Sequence, residues 1–284
     1  MAQKKHEIEN FLRAAGSRPR QMFGQNFMID QNLVRTVAEA GLVERRDCVI
    51  EVGPGTGTLT QELLGRAGRV IAVEIDRDLA RLLRKELGER PNFTLIEADA
   101  LEGKHALNPE LLAAIRAARD SGNPVKLVAN LPYNVASPLI IEMLIAGVDL
   151  LAFTVQKEVA LRIRATPGTP EYGPLSAMAQ MLAKVELLRT LPPQAFWPAP
   201  KIESGLVRLT RDDRLGHRSE AFSRFVHKLF SFRRKTLRRA LSQSDLDAES
   251  LLSATGFDPQ SRAEQLSPED LLRLFEAVPR QKDQ

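Results

Sequence analysis

Glu51-Val-Gly-Pro-Gly-Thr-Gly57 follows the apolar pair Val49-Ile50 and precedes the helix-like run Leu59-Thr-Gln-Glu-Leu-Leu64. Glycine at every second position lets a backbone turn tightly and approach a ligand closely, because no Cβ stands in the way. A helix that opens directly after such a loop points free N–H groups at the same place. Strand, glycine loop and helix in this order announce a nucleotide-like cofactor. The spacing is G-x-G-x-G and not the G-x-G-x-x-G of dinucleotide folds, which turns the expectation away from NAD.

Outward from this loop, short apolar runs alternate with amphipathic ones. Strands are predicted at Cys48 to Val52, Arg69 to Glu74, Phe93 to Glu97, Val125 to Asn130 and Leu150 to Gln156. Two more are predicted at Val185 to Leu191 and Gly205 to Thr210. Helical spacing joins Leu33, Val34, Val37 and Ala38, then Leu79, Leu82, Leu83 and Leu87, then the run Leu111 to Ala118. This is the pattern of an α/β fold with a mostly parallel sheet covered on both faces and right-handed crossovers. The join Leu191-Pro-Pro-Gln-Ala-Phe-Trp-Pro-Ala-Pro-Lys-Ile202 holds too much proline for a regular element and is expected to be an ordered loop. The segment up to about Arg20 reads as a basic arm or a short helix.

After Arg211 the pattern becomes helical throughout. Phe222, Phe225, Val226, Leu229 and Phe230 recur at helical spacing, and Ser267-Pro-Glu-Asp270 is a good helix start. Two domains are therefore expected: residues 1–211, carrying the glycine loop, and a small all-helical domain, residues 212–284.

The 284 residues allow one large domain plus a smaller one. No apolar run approaches the ~20 residues that a membrane span needs, and the N-terminus lacks the apolar stretch of a secretory signal. Cys48 is the single cysteine, so no intrachain disulfide can form; a reducing cytoplasm is expected. His6, His105, His217 and His227 show no metal-ligand spacing, and no metal is expected. The net charge of +4 is unevenly spread. Lys201 to Arg239 holds twelve bases against four acids, the footprint of a polyanion partner or, more plainly, of a solvated helix face.

Ligands of such sheets bind beyond the carboxyl ends of the strands, and four predicted strand ends carry suggestive residues. Glu51 ends the first. Glu74 ends the second, about twenty residues beyond the loop, where a carboxylate can accept both hydroxyls of a ribose. Asp99 follows the third and could accept from an adenine amino group. Asn130 ends the fourth and opens Asn130-Leu-Pro-Tyr-Asn134. The Asn side-chain oxygen and a backbone carbonyl near Leu131 could each accept one N–H of an amine on a planar ring. Pro132 would stiffen the turn and Tyr133 would stack on the ring. Read alone, the motif is equally a plain turn; at the end of the fourth strand it reads as functional.

Eight motifs then stand in order: Phe23-Gly-Gln-Asn-Phe27, Glu51-Val-Gly-Pro-Gly55, Asn130-Leu-Pro-Tyr-Asn134, Gln156-Lys-Glu-Val159, Tyr172-Gly-Pro-Leu-Ser176, Phe196-Trp-Pro-Ala-Pro-Lys-Ile-Glu-Ser204, Phe232-Arg-Arg-Lys-Thr-Leu237 and Arg262-Ala-Glu-Gln-Leu266. In them the sequence resembles the KsgA family of ribosomal RNA adenine dimethyltransferases, also called RsmA, from about Arg20 to Phe275. The resemblance implies a class I, Rossmann-like methyltransferase fold with a seven-stranded sheet, using S-adenosylmethionine. It implies dimethylation of N6 on two adjacent adenosines in the 3′-terminal hairpin of 16S ribosomal RNA, within the small ribosomal subunit, and a role in subunit biogenesis. A cytoplasmic monomer is expected.

Carried onto matching positions, the cofactor contacts would be Asn26, Met28, Gly53, Gly55, Glu74, Ile75, Asp99, Ala100 and Asn130. Asn130 with the Leu131 or Pro132 carbonyl would hold N6, Tyr133 would stack on one face of the adenine, and Phe196 would close the other. Arg233, Arg234, Lys235 and Arg238 would meet RNA from a basic helix. Met28 stands where the family usually has Leu, Ala129 where it often has Gly, and Gly103 to Asn123 is longer than usual. A nicotinamide-dependent dehydrogenase would share the loop and Glu74 but leaves Asn130 to Tyr133 unexplained. An assembly factor without catalysis would not need the four strand-end residues. The related resistance methyltransferases of large-subunit RNA usually differ after the Pro-Tyr pair and lack Phe-Arg-Arg-Lys.

Overall fold

The computed structural model of the protein describes residues 5–14, 19, 24–103 and 106–279. The first element is α1 (Lys5–Ala14), followed by β1 (Phe27–Met28), α2 (Gln31–Ala40), β2 (Cys48–Val52), α3 (Thr58–Leu64), β3 (Arg69–Val73), α4 (Arg77–Leu87) and β4 (Phe93–Ile96). Then come α5 (Pro109–Asp120), β5 (Val125–Asn130), α6 (Ala136–Ile145), β6 (Leu150–Gln156), α7 (Lys157–Ile163) and α8 (Pro174–Leu182). After these follow β7 (Ala183–Leu191), β8 (Phe196–Trp197), β9 (Ser204–Arg211), α9 (Ser219–Phe230), α10 (Leu237–Gln243), α11 (Ala248–Thr255) and α12 (Pro268–Glu276). Phe23 and the stretch around Arg20 lie outside the described residues, apart from Pro19.

Seven strands form one sheet in the order β4-β3-β2-β5-β6-β9-β7. The pairs β4–β3, β3–β2, β2–β5 and β5–β6 are parallel, and β6–β9 is antiparallel. Chain order reverses between β2 and β5, so the crevice beyond their carboxyl ends is where an α/β sheet receives a ligand. The central strands are apolar on both faces because helices cover both: every residue of β2 is buried. On one face Leu33, Val34 and Val37 of α2 and Leu59 and Leu63 of α3 pack on Val49, Val70, Val128 and Ala152. Each of the Leu and Val side chains contributes roughly 1.5–3 kcal/mol by leaving water. Asp30 caps α2, its carboxylate accepting from Asn32 and Leu33 N–H, and Asp76 caps α4.

All seven predicted strands are present, with ends shifted by no more than two residues. The proline-rich join is less plain than a loop. Phe196 and Trp197 pair antiparallel with Phe27 and Met28, making a second, two-stranded sheet. Two-residue strands carry no periodicity, so nothing in the sequence marks them.

The chain divides into two compact units. One comprises residues up to Ala160 together with Val185–Arg211; the other comprises Leu161–Lys184 and Asp212–Gln284. Leu161–Lys184, expected within the first domain, thus groups with the C-terminal helices. The cause lies in α8, buried at Leu175 to Ala179 and again at Met181 and Leu182, which packs on α9 and α12. Tyr172, just before α8, meets the Phe230 ring edge-on with centroids 6.0 Å apart. Inside this unit Phe222, Phe225 and Phe275 form an aromatic cluster, with Phe222 and Phe275 edge-to-face at 5.5 Å. Among the described residues no helix is long and apolar enough to cross a membrane, and no group of His, Cys, Asp or Glu could hold a metal ion.

Candidate active site

Beyond the carboxyl ends of β2, β3 and β5 opens a cleft of about 970 Å³, its open mouth included. Gly53, Gly55 and Gly57 take φ of +71°, +60° and +82°, a left-handed region that side chains rarely enter. Contact forbids larger residues as well. A Cβ on Gly55 would lie 2.9 Å from the Phe27 ring, and one on Gly53 would lie 3.1 Å from Pro132. The glycine loop is therefore shaped by φ and by its two neighbours, the β1 strand and the Asn130 to Tyr133 tetrapeptide.

Two carboxylates stand on the floor. Glu74 is 4 % exposed, and its oxygens accept from Gly55 N–H at 3.2 Å and Asp76 N–H at 2.9 Å. Burial pushes its carboxyl up to about 7; the backbone donors from Asp76 and Gly55 oppose that rise and the Asp76 charge adds to it. Glu51 is 2 % exposed, and its Oε2 has no hydrogen-bond partner among the described residues. Burial pushes the Glu51 carboxyl up to about 8, the nearby Thr60 hydroxyl favours its charged form, and Glu74 disfavours it. The unpartnered Oε2 at the cleft wall leaves an acceptor that a cationic group of a ligand could meet, which would favour the charged form.

Asn26, Met28, Gly53, Gly55, Glu74, Ile75, Asp99, Ala100, Asn130 and Pro132 all line this cleft. Ile75 offers an apolar surface there, and Asp99 is steadied by a 3.0 Å bond from Leu101 N–H to its Oδ1. Asn130 Nδ2 donates to the Asn26 carbonyl at 2.6 Å, which ties the tetrapeptide to the segment before β1. Gly24 approaches as closely: its Cβ position lies 3.3 Å from Tyr133 N and 3.4 Å from Asn134 Oδ1.

Three residues predicted to handle the base, Leu131, Tyr133 and Phe196, do not line the cleft. Leu131 is buried, with its N–H bonded to the Thr154 carbonyl at 3.2 Å. Tyr133 is half-buried, and its hydroxyl lies 3.0 Å from Ser204 Oγ on β9; burial raises its pKa, opposed by that bond. Phe196 contradicts its expected role. It is 2 % exposed and belongs to the core beneath α2, with Met28 and Leu33 in the same cluster. A ring so enclosed presents no face to a base. Its place in an ordered pair with β1 is the reason, and the sequence holds no sign of it.

The basic residues lie in the C-terminal unit. Arg233, Arg234 and Lys235 are exposed in a turn between α9 and α10, not on a helix as expected. Past α9, Ser231 N–H still makes the helical bond to the His227 carbonyl, whereas Phe232 and Arg233 N–H bond the Leu229 and Phe230 carbonyls in successive tighter turns. Arg238, on α10, pairs with Glu249 at 3.0 Å. Several other bases of the stretch are likewise engaged, Arg208 with Glu186, Arg214 with Glu269, Arg218 with Glu276 and Lys228 with Asp245.

A family model described as ribosomal RNA adenine dimethylase matches residues 16–279 of this chain. The chain belongs to the ribosomal RNA adenine dimethylase family. A member from Clostridium botulinum (strain ATCC 19397 / Type A), the ribosomal RNA small subunit methyltransferase A, is 40 % identical over 263 residues, covering 90 % of this chain and 92 % of the relative. Among solved structures, the 23S rRNA methyltransferase ErmE aligns with a TM-score of 0.60 at 27 % identity, covering 89 % of this chain and 99 % of that one. A dimethyladenosine transferase from Plasmodium falciparum aligns with a TM-score of 0.65 at 22 % identity, covering 87 % and 95 %. The adenine dimethylase fold is thus a Rossmann-like methyltransferase sheet, and the cleft of this family member occupies its switch point. Glu51 and Ser204 were legible as motif residues without an assigned role; Thr154 had no sequence signal.

Proposed function

We propose that this protein transfers two methyl groups from S-adenosylmethionine to N6 of each of two adjacent adenosines in the 3′-terminal hairpin of 16S ribosomal RNA. It does so as a cytoplasmic monomer, on the small subunit during its biogenesis. The observation that carries the reading is Asn130, whose amide stands on the wall of the glycine-loop cleft with Nδ2 already bonded to Asn26.

The residues suit S-adenosylmethionine. The glycines at 53 and 55 leave no room for a Cβ, Glu74 can accept from a ribose, and the orphaned Glu51 Oε2 can meet a cationic group. When bound, S-adenosylmethionine supplies a methyl group made electrophilic by its sulfonium centre. The chain's own work is to hold the adenine N6 and orient its lone pair. The target base must first leave its stack, at a cost of a few kcal/mol that contacts in the pocket offset. Asn130 Oδ1 accepts one N–H. The Leu131 or Pro132 carbonyl is the second acceptor; the Pro132 oxygen accepts from Val135 N–H at 3.3 Å and keeps a second lone pair. Tyr133 stacks on the base. Arg233, Arg234 and Lys235 bind phosphates.

The small subunit is preferred over the large because the small-subunit relative is 40 % identical and the 23S enzyme 27 %. Incubating the purified protein with undermethylated small subunits and isotopically labelled S-adenosylmethionine, then mapping the modified nucleotides, tests the proposal. Label in two neighbouring adenines of the 16S 3′ hairpin is expected. Label confined to large-subunit RNA, or none, overturns it.

A further inference from the structure

Asn130 lies opposite Thr154 in the parallel register of β5 and β6. Thr154 is fully buried, and its Oγ1 donates to Asn130 Oδ1 at 2.5 Å. At the other end of the amide, Nδ2 donates to the Asn26 carbonyl at 2.6 Å. A backbone carbonyl only accepts, so the amide atom facing Asn26 is the nitrogen and the atom facing Thr154 is the oxygen. The terminal torsion of an asparagine side chain is broad and roughly two-fold. Bonds at both ends of the amide remove that freedom. An amide oxygen carries two acceptor lone pairs. Thr154 takes one and leaves one.

From this geometry we propose that Thr154 is a positioning residue for methyl transfer: its hydroxyl fixes the Asn130 amide so that the remaining oxygen lone pair faces the adenine N6. This rests on the role given above to Asn130. Thr154 is not among the residues lining the cleft, so it acts through Asn130 and not on the ligand. Its second contact with the tetrapeptide, the carbonyl that accepts from Leu131 N–H at 3.2 Å, belongs to the backbone and survives exchange of the side chain. Valine keeps the shape of threonine and lacks the donor. A packing role tolerates that exchange and an orienting role does not.

The test compares Thr154→Val, Thr154→Ser and Asn130→Ala in the full-length protein, assayed on undermethylated small subunits. S-adenosylmethionine affinity is measured by calorimetry and the thermal midpoint by scanning. Thr154→Val is expected to lower kcat about tenfold, the scale set by losing one orienting hydrogen bond, with cofactor Kd and thermal midpoint close to wild type. Thr154→Ser, which keeps the hydroxyl, restores most of the rate. Wild-type turnover by Thr154→Val beside an inactive Asn130→Ala overturns the proposal and leaves the Asn130 reading standing. Equal losses in the Val and Ser variants also overturn it, because shape and not the hydroxyl then matters. Near-normal turnover by Asn130→Ala overturns both.

Discussion

Glu51 and Glu74 end neighbouring parallel strands, wall the same cleft, and are both nearly sealed from solvent. Burial raises the proton affinity of each, and the Glu74 charge raises that of Glu51 further. A carboxyl whose folded-state pKa lies near 8, against an ordinary value of 4.5, binds more protons folded than unfolded between those limits. The ligand-free protein should therefore lose stability as pH rises from about 4.5 to about 8. A bound cation favours ionised Glu51, so cofactor binding near pH 7 should release protons and tighten as pH rises. Calorimetry in buffers of differing ionisation enthalpy would read that release. Glu51→Gln should abolish most of it; an unaltered proton count in that variant would remove Glu51 from the cation's seat.

Gly55→Ala should weaken cofactor binding by tenfold or more and lower the thermal midpoint. Its φ of +60° is costly for any side chain, and the new Cβ would press within 2.9 Å of the Phe27 ring. Gly103→Ala is the control. It shares a positive φ of +76°, but among the described residues nothing lies within 4 Å of the Cβ it would carry. Backbone strain alone should cost it about 1–2 kcal/mol of stability and leave cofactor affinity unchanged. Equal loss of affinity in the two variants would mean that contact with Phe27 does not shape the loop.

Much of this molecule is written locally. Apolar runs such as Cys48 to Val52 and Leu150 to Gln156 can be little but central strands, and a glycine loop between strand and helix fixes where the crevice opens. Asn26, Glu74, Asp99 and Asn130 follow from strand ends and motif matching. What stayed hidden depends on partners distant in the chain. Phe196 pairs with Met28 across 168 residues, and two residues carry no period. Thr154 meets Asn130 through strand register, which apolar patterning does not specify when both faces are buried. Leu161–Lys184 looks like part of the domain that precedes it because sequence adjacency says nothing of the α9 and α12 faces on which α8 rests.

Phe196→Ala should unfold at markedly lower urea, by about 3–5 kcal/mol, whether or not RNA is present. A ring 2 % exposed and packed among Met28, Leu33 and their neighbours contributes to folding before any substrate arrives. Phe196→Leu should recover part of that loss, since it leaves a smaller cavity. A Phe196→Ala protein with wild-type stability and a selective rise in KM for the subunit would instead restore the ring to the base-binding wall.

Arg233, Arg234 and Lys235 differ from Arg238 in what they already touch. The three stand exposed in the turn after α9, whereas Arg238 pairs with Glu249 at 3.0 Å on a surface where both groups are largely open to water. Such a pair is worth about 0–1 kcal/mol, yet phosphate must displace Glu249 to win the guanidinium. Replacing all three turn bases by glutamine should lower the salt-dependence slope of subunit RNA binding by about 2–3, near one counterion per lost phosphate contact. Arg238→Gln should change the slope by less than any one of them. Binding titrations across a range of potassium chloride concentrations would measure both. A triple variant with the wild-type slope would mean that these bases face water and not the RNA backbone.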